Sequence, residues 1–463
     1  MSELAGYQYV RTPLWKFQWE DVTRLEDEPR VLIGNEMGTG KTLMAVERDL
    51  RLRQADPYAK TLVVAPLNTH GSWAETFRRE TSLAVKIINR KKREWFVGPK
   101  GTDVQVYICH YEVLRLMPEL RDVDFGHVIF DECQKLQNRK AKMTRAAKIL
   151  RIPFITAMSG SPVTTNPQNI WSVLNLLKPR TYTSYWRFFE DYVDYQVARQ
   201  GYKIPLGPSQ KWYDEGLPAM REFFTRRLKE EVMADLPPKL YGKIYVDLLP
   251  DQRKQYDDMK NHMVAWLESY DGDDEVPLPA PAVIAQLQRL QMFALGTAHM
   301  DDRGKVALHD PSSKVDAVME LLQDNEEEQF VIFTQFKGPL RILKSRLTRE
   351  DISFGSFTGD DHPKLRNLYK REFIDGKRRV LLGTIASGGV GVDGLQHACC
   401  NVIFLDRTWS PATNAQAEDR LHRGGQTRVV NIIDVVARNT VDIQRFQKIE
   451  MKKGWLKKML GDA

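Results

Sequence analysis

The sequence predicts an α/β fold with two parallel sheets, and three features carry that expectation. Apolar runs recur early in the chain, at Val31-Leu32-Ile33, Thr61-Leu62-Val63-Val64-Ala65 and Val128-Ile129-Phe130. A second series follows Ser313, at Val331-Ile332-Phe333, Val380-Leu381-Leu382, residues 402–405 and residues 431–436, with helical stretches between. Runs without polar alternation read as strands buried on both faces. Third, a glycine-rich turn at residues 34–42 leads from the first run into a helical pattern at residues 43–54.

The bulk composition narrows the class. A chain of 463 residues suits two or three domains at about 100–200 residues each. Hydrophobic residues at 42% and charged residues at 28% support packed cores and argue against wholesale disorder. Lys plus Arg, 68, against Asp plus Glu, 61, leaves +7, a modest lean towards a polyanionic partner. The four cysteines, Cys109, Cys133, Cys399 and Cys400, form no Cys-x-x-Cys pair, which suits a reducing compartment. The cytoplasm is therefore the expected compartment, or the nucleus in a eukaryote. His397 and Cys399 are not spaced as a metal site. The N-terminus does not read as a signal peptide, and no run approaches the roughly 20 apolar residues of a membrane span, so no membrane partner is expected.

In chain order, residues 14–20 come first. Gln18 offers an amide donor and acceptor for an adenine edge, or is simply a polar residue on an amphipathic helix. Then comes Gly34-Asn35-Glu36-Met37-Gly38-Thr39-Gly40-Lys41-Thr42. A strand, a glycine-rich turn and a helix N-terminus make a phosphate cradle. Gly38 and Gly40 let backbone N–H groups approach the phosphates closely, Lys41 would reach the β/γ oxygens, and Thr42 would hold Mg²⁺. The strict pattern asks for glycine where Asn35 stands. A plain strand-to-helix turn does not explain adjacent lysine and threonine.

The run at residues 61–66 reads as a buried strand whose following loop, residues 67–73, lies at the ligand-binding carboxyl edge. Residues 86–100 are basic, with Trp95 and Phe96, and read as a nucleic-acid contact or a solvated loop. At Val128-Ile129-Phe130-Asp131-Glu132-Cys133-Gln134 a strand ends in two carboxylates. Asp131 would hold Mg²⁺ and Glu132 would polarise the attacking water; the alternative is a strand ending in a polar turn. Thr156-Ala157-Met158-Ser159-Gly160-Ser161-Pro162 ends another run, as a turn or as a coupler of nucleotide state to a neighbouring lobe.

Residues 163–312 carry aromatics at helical spacing that read as core, with exposed loops expected at residues 201–208 and 271–275. The second apolar series has no Gly-Lys-Thr, so no second nucleotide is expected there. It does carry Gln416-Ala417-Glu418-Asp419-Arg420-Leu421-His422-Arg423. Arg420 and Arg423, three apart, share a face if helical. Guanidiniums facing a cleft stabilise a transferring phosphoryl, by roughly 10³–10⁵ in rate for an arginine finger; a mixed-charge surface helix is the alternative. Residues 441–460 read as a basic amphipathic helix packed on the second lobe, with nucleic-acid contact as the other reading.

On these motifs the chain resembles the Swi/Snf-like ATPases of helicase superfamily two, in the family's order from Leu14 to about residue 440. Asn35 falls where that family also lacks the first glycine. Arg226-Arg227-Leu228-Lys229-Glu230-Glu231-Val232, then Leu236-Pro237-Pro238-Lys239, matches the segment closing its first-lobe insertion. Pro250-Asp251-Gln252 with Tyr256, Ser313-Lys314, Thr358-Gly359-Asp360, Ala386-Ser387-Gly388-Gly389-Val390-Gly391-Val392 and Trp409-Ser410-Pro411 also match. The Gln-Ala-Glu-Asp-Arg form resembles the distant, annealing-type branch. Departures are Gln134 for the usual histidine, Asp393 for asparagine, Ser410 for asparagine and Gly424 for isoleucine.

The resemblance implies two RecA-like parallel-sheet lobes with helical insertions between the motif blocks. Residues 1–240 would form lobe 1, 241–312 a helical linker, 313–440 lobe 2 and 441–463 a basic helix. It implies ATP between the lobes, touched by Gln18, Gly38, Thr39, Gly40, Lys41, Thr42, Gln134, Gly391 and Asp393. Lys41, Asp131, Glu132, Arg420 and Arg423 would be catalytic, with Mg²⁺ on Thr42 and Asp131. The expected track is double-stranded DNA, faced by His70, Tyr111, Thr358, Gly388 and Trp409, with plain packing as the alternative for the aromatics. The activity implied is ATP-driven translocation, with remodelling or reannealing rather than strand separation. Rivals are a strand-separating DNA or RNA helicase, the motor of a restriction or repair complex, and an inactive nucleic-acid-binding scaffold. A protein partner for targeting and a monomeric state complete the expectation.

Overall fold

A computed structural model describes residues 8–88, 104–164, 166–198, 201–271, 280–300, 306–388 and 394–462. The chain forms two compact units, Met1–Ala234 with Lys452–Ala463, and Asp235–Met451.

The strands of the first unit are β1 Arg30–Ile33, β2 Lys60–Val64, β3 Ala84–Ile87, β4 Val104–Cys109, β5 Phe125–Asp131, β6 Phe154–Met158, β7 Val193–Val197, β8 Lys203–Pro208 and β9 Phe224–Thr225. Seven of them form one parallel sheet in the order β3-β4-β2-β5-β6-β1-β9. Side chains alternate between two cores. Leu32, Leu62, Val128, Phe130 and Ile155 enter one, and Ile33, Val63, Ile129 and Met158 the other. Burial on both faces explains why these strands read as unbroken apolar runs.

Register decides where the polar strand ends meet. Ile33 pairs with Met158, and Met158 with Asp131. The turn after β1, the Ser159-Gly160 turn after β6 and the carboxylates ending β5 therefore emerge at one sheet edge, where open α/β sheets bind ligands.

The helix after the first turn, Lys41–Leu52, buries Met44, Ala45 and Val46 and also the charged Asp49. Asp49 accepts from Arg53 Nε at 2.8 Å and Thr61 Oγ1 at 2.5 Å, and lies 2.8 Å from His127 Nδ1. His127 Nε2 meets Thr156 Oγ1 at 2.8 Å. Burial raises the Asp49 pKa, but His127, Arg53 and Thr61 outweigh it and hold the carboxyl below its ordinary range. This paired cluster bolts the helix to β2, β5 and β6; breaking such a pair typically costs about 3–5 kcal/mol.

Three expectations change here. Residues 67–73 are not a loop: a 3-10 turn, Leu67–Thr69, leads into the helix His70–Glu80. Much of residues 201–208 is not loop: β8 pairs antiparallel with β7. Its prolines sit in an isolated two-stranded ribbon, where an unpaired edge tolerates them. The end of the C-terminal helix, Val441–Leu460, is not packed on the second lobe. Lys452–Ala463 belong to the first unit, and Met459 and Leu460 are buried in its core. Most of the basic stretch, from residue 89 to 100, and the acidic piece from residue 272 lie outside the described residues.

In the second unit the strands are β10 Lys239–Val246, β11 Thr297–Met300, β12 Val306–His309, β13 Phe330–Thr334, β14 Phe354–Phe357, β15 Val380–Thr384, β16 Asn401–Phe404 and β17 Val430–Ala437. Six form a parallel sheet, β10-β17-β16-β13-β15-β14, and β11-β12 is a separate hairpin. Several signature residues are buried polar anchors of this unit. Gln252 donates to Phe293 O at 3.2 Å, the Tyr256 hydroxyl accepts from Val441 N at 2.7 Å, and Lys314 donates to Leu405 O at 2.7 Å. Among the described residues no helix is long and apolar enough to cross a membrane.

Candidate active site

The phosphate-type loop is set by its glycines. Gly38 and Gly40 adopt φ of 80° and 77°, left-handed values that side chains rarely take. At Gly40 a Cβ would also lie 2.3 Å from Gln18 Nε2. No side chain caps the helix that starts at Lys41, so its first-turn N–H groups suit an anion. Lys41 Nζ donates to Asn35 O and Glu36 O, both at 2.8 Å, folding over the loop it would leave to meet a phosphate. Burial lowers its pKa to about 8, against the pull of Glu132 and Asp131. These features fit the phosphates of a nucleotide.

The carboxylates stand beside this loop. Asp131 Oδ2 accepts from Trp73 Nε1 at 2.9 Å, and Asp131 O accepts from the Tyr111 hydroxyl at 2.7 Å. Burial and the adjacent Glu132 charge raise the Asp131 pKa, with Trp73 and Lys41 opposing. A buried carboxyl raised in this way beside a second negative charge fits a divalent cation, which would relieve the repulsion. Glu132 is held at φ 53°, ψ 53°, in the left-handed region. That conformation turns the chain sharply after β5 and keeps Glu132 adjacent to Asp131. Gln134 Nε2 donates to Glu132 Oε2 at 2.6 Å, so the residue that departs from the family's histidine steadies the second carboxylate.

In the second unit the helix Pro411–Glu418 stops before the two arginines. Arg420 and Arg423 therefore stand on the turns after it, both half-buried, and not along one helical face. The turn is fixed by Leu421, fully buried, by Gly425 at φ 90°, and by Gln426 donating to Cys399 O and Leu421 O at 3.0 and 3.2 Å. Just before them, Glu418 accepts from Lys239 at 3.0 Å, Tyr241 at 2.9 Å and Arg407 at 2.5 Å, and Arg407 also pairs with Asp434.

Comparison with known proteins agrees with this geometry. The SNF2-related domain model matches residues 21–293, and the helicase conserved C-terminal domain matches residues 313–425. This chain belongs to the SNF2-related family. Family membership places it among the helicase-like ATP hydrolases, with ATP as their nucleotide. An uncharacterised ATP-dependent helicase of Mycoplasma pneumoniae is 25% identical over 91% of this chain and 39% of that protein. Chromodomain-helicase-DNA-binding protein 7 of Gallus gallus is 25% identical over 99% of this chain and 16% of that protein. The chain thus spans well under half the length of these relatives. The solved Hef helicase domain of Pyrococcus furiosus shares the fold, with TM-score 0.57 at 16% identity, covering 94% of this chain and 98% of that one.

The SNF2-related chain has a physical reason for its arginine-rich signature. β9 pairs with β1, and the ladder continues along the loop: Gly34 N donates to Thr225 O at 2.8 Å and Glu36 N to Arg227 O at 2.9 Å. Asn35 Nδ2 donates to Asp21 at 3.0 Å, and Asp21 also accepts from Arg227 at 2.9 Å. The missing glycine is an asparagine because its amide locks the loop to the N-terminal helix.

Other site expectations fare differently. Gln18 donates to Thr39 O and accepts from Trp15 N, both at 2.9 Å, so its amide ties the loop to the start of its own helix. Thr42 begins the helix beside Lys41, as expected. Tyr111 is 1% exposed and stacked on Phe130, packed in the core of the first unit. His70 is 4% exposed with Nε2 at 3.2 Å from Ala65 O, and is likewise turned inward. Thr358 is buried, its hydroxyl donating to Asp361 at 2.8 Å, so it shapes a turn. Trp409 packs half-buried against the second unit's core, and Gly388 ends the short helix Ile385–Gly388. Gly391 and Asp393 lie outside the described residues. Sequence reasoning missed Trp73, Arg226, Lys239 and Glu418 as site supports; the last three sat inside quoted motifs without a role.

Proposed function

We propose that this SNF2-related chain hydrolyses ATP with Mg²⁺ to translocate along double-stranded DNA, remodelling or reannealing rather than separating strands. The observation that carries the ATP half is the register that sets Asp131 and Glu132 at the same sheet edge as the Lys41 loop. Lys41 clamps the β/γ oxygens, Thr42 and Asp131 hold Mg²⁺, and Glu132 orients the attacking water. Arg420 and Arg423 neutralise charge on the transferring phosphoryl. The DNA half is supported by the helicase C-terminal match and by relatives whose names record DNA binding. Grip through phosphates entails little sequence preference and strong salt dependence.

The test is ATP turnover without nucleic acid and with duplex DNA, single-stranded DNA or RNA, alongside triplex displacement and fork unwinding. Stimulation by duplex DNA with triplex displacement supports the reading. Stimulation by RNA alone overturns it, and unwinding of a blunt fork moves the assignment to a strand-separating helicase.

A further inference from the structure

Arg226 sits under the entrance to the phosphate loop. Its Nη1 donates to Gly34 O at 2.6 Å and to Gly160 O at 3.2 Å. Gly34 leads into the loop, and Gly160 lies against it: a Cβ there would come within 2.4 Å of Met37 Cγ and 3.3 Å of Lys41 Nζ. One guanidinium thus ties together the two backbone segments that bracket Lys41. Its other edge is taken by Asp462, 236 residues away, through Nε at 2.9 and 3.1 Å and Nη2 at 2.6 Å. The pair is largely dry, with side chains 13% and 5% exposed.

The reach of Asp462 is encoded locally. The helix Val441–Leu460 ends at Gly461, φ 73°. Gly461 N bonds Lys458 O at 3.3 Å and Asp462 N bonds Lys457 O at 3.0 Å, the paired bonds of a glycine-terminated cap. The last turn is anchored by buried Met459 and Leu460 and by Trp212 Nε1 donating to Met459 O at 3.0 Å.

We propose that Asp462 is a positioning residue for the phosphate loop, acting through Arg226, so that nucleotide affinity depends on the docked end of the C-terminal helix. A two-pronged carboxylate fixes the guanidinium plane, which aims Nη1 at both carbonyls. Without it Arg226 regains rotamer freedom beside Lys41, and the two backbone segments lose their shared donor. The proposal rests on the nucleotide-binding reading of the loop.

Binding of a fluorescent ADP analogue with Mg²⁺ to the full chain tests it, with melting followed in parallel. Asp462→Asn and Gly461→Ala are expected to raise the Kd by about tenfold, and Asp462→Glu to restore most of the affinity. In an Arg226→Lys background Asp462→Asn adds nothing further, because the relay is already broken. A merely structural carboxylate would lower the melting temperature without moving Kd well below melting, and that result overturns the proposal. Wild-type affinity in Asp462→Asn overturns it alone; a wild-type chain that binds no ADP removes the nucleotide reading and the proposal together.

Discussion

The indole Nε1 of Trp73 donates to Oδ2 of Asp131 at 2.9 Å. Trp73 comes from the helix His70–Glu80 and Asp131 from the end of β5, so a core side chain supports the proposed Mg²⁺ ligand. The bond opposes the rise that burial and Glu132 impose on Asp131. Trp73→Phe keeps an aromatic ring and removes the donor. The Mg²⁺ needed for half-maximal ATP hydrolysis at pH 7 is expected to rise by about three- to tenfold. A Mg²⁺ titration of turnover checks this, and an unchanged requirement refutes it.

Lys41 gives the reaction an alkaline limit. Burial brings its ammonium to about 8, whereas the unfolded chain keeps the charge to about 10.4. kcat/KM for ATP should fall as pH rises past that folded value, because it reports the free protein. Between the two values the unfolded chain binds more protons, so Lys41's contribution to stability grows with pH there. Lys41→Ala should abolish turnover, and Lys41→Arg should remove the alkaline limb from whatever activity it keeps. A pH profile of kcat/KM is the measurement.

Glu132 carries backbone strain at φ 53°, a conformation costing a side chain about 1–2 kcal/mol. Glu132→Gly relieves the strain while loosening the unfolded chain by about 1 kcal/mol. It should therefore melt no lower than Glu132→Gln, which keeps the strain. Both should retain ADP binding and lose about 10²-fold or more in hydrolysis. Thermal melts with single-turnover assays decide; a Gly variant clearly less stable than the Gln variant counts against strain at this position.

Lys239 and Glu418 predict acid sensitivity in the second unit. Burial alone would raise Glu418, but Lys239 and Arg407 outweigh it and push the carboxyl down to about 2. Its stabilising contribution, on the order of 3 kcal/mol, is present above the unfolded value of about 4.3 and is lost as pH falls below it. Lys239→Met removes one of the cations and should move the acid-unfolding midpoint up by about one pH unit. Circular dichroism during acid titration reads the shift, and coincident titrations would show the pairing to be idle.

Much of the fold was readable because parallel strands are buried on both faces, so Val31-Leu32-Ile33 and Val331-Ile332-Phe333 appear as unbroken apolar runs. The loop was readable because Gly38, Gly40 and Lys41 answer a local demand of backbone shape and charge. Arg420 and Arg423 were legible as residues but not as geometry, since the turn that carries them depends on Leu421, Gly425 and Gln426 together. The burial of Tyr111 and His70 was not legible because a ring at a motif position carries no signal of which way it faces.

By itself, the chain's order of residues determined two α/β units, a phosphate-type loop, a paired carboxylate and an arginine motif, all properties that neighbours in sequence can encode. Tertiary structure alone decided that Asp131 meets Trp73, that Asn35 meets Asp21, and that Arg226 is held by Asp462 from the far end of the chain. The physical reason is range: apolar periodicity and backbone preference act over a few residues, whereas a buried hydrogen bond forms wherever packing brings a donor and an acceptor together.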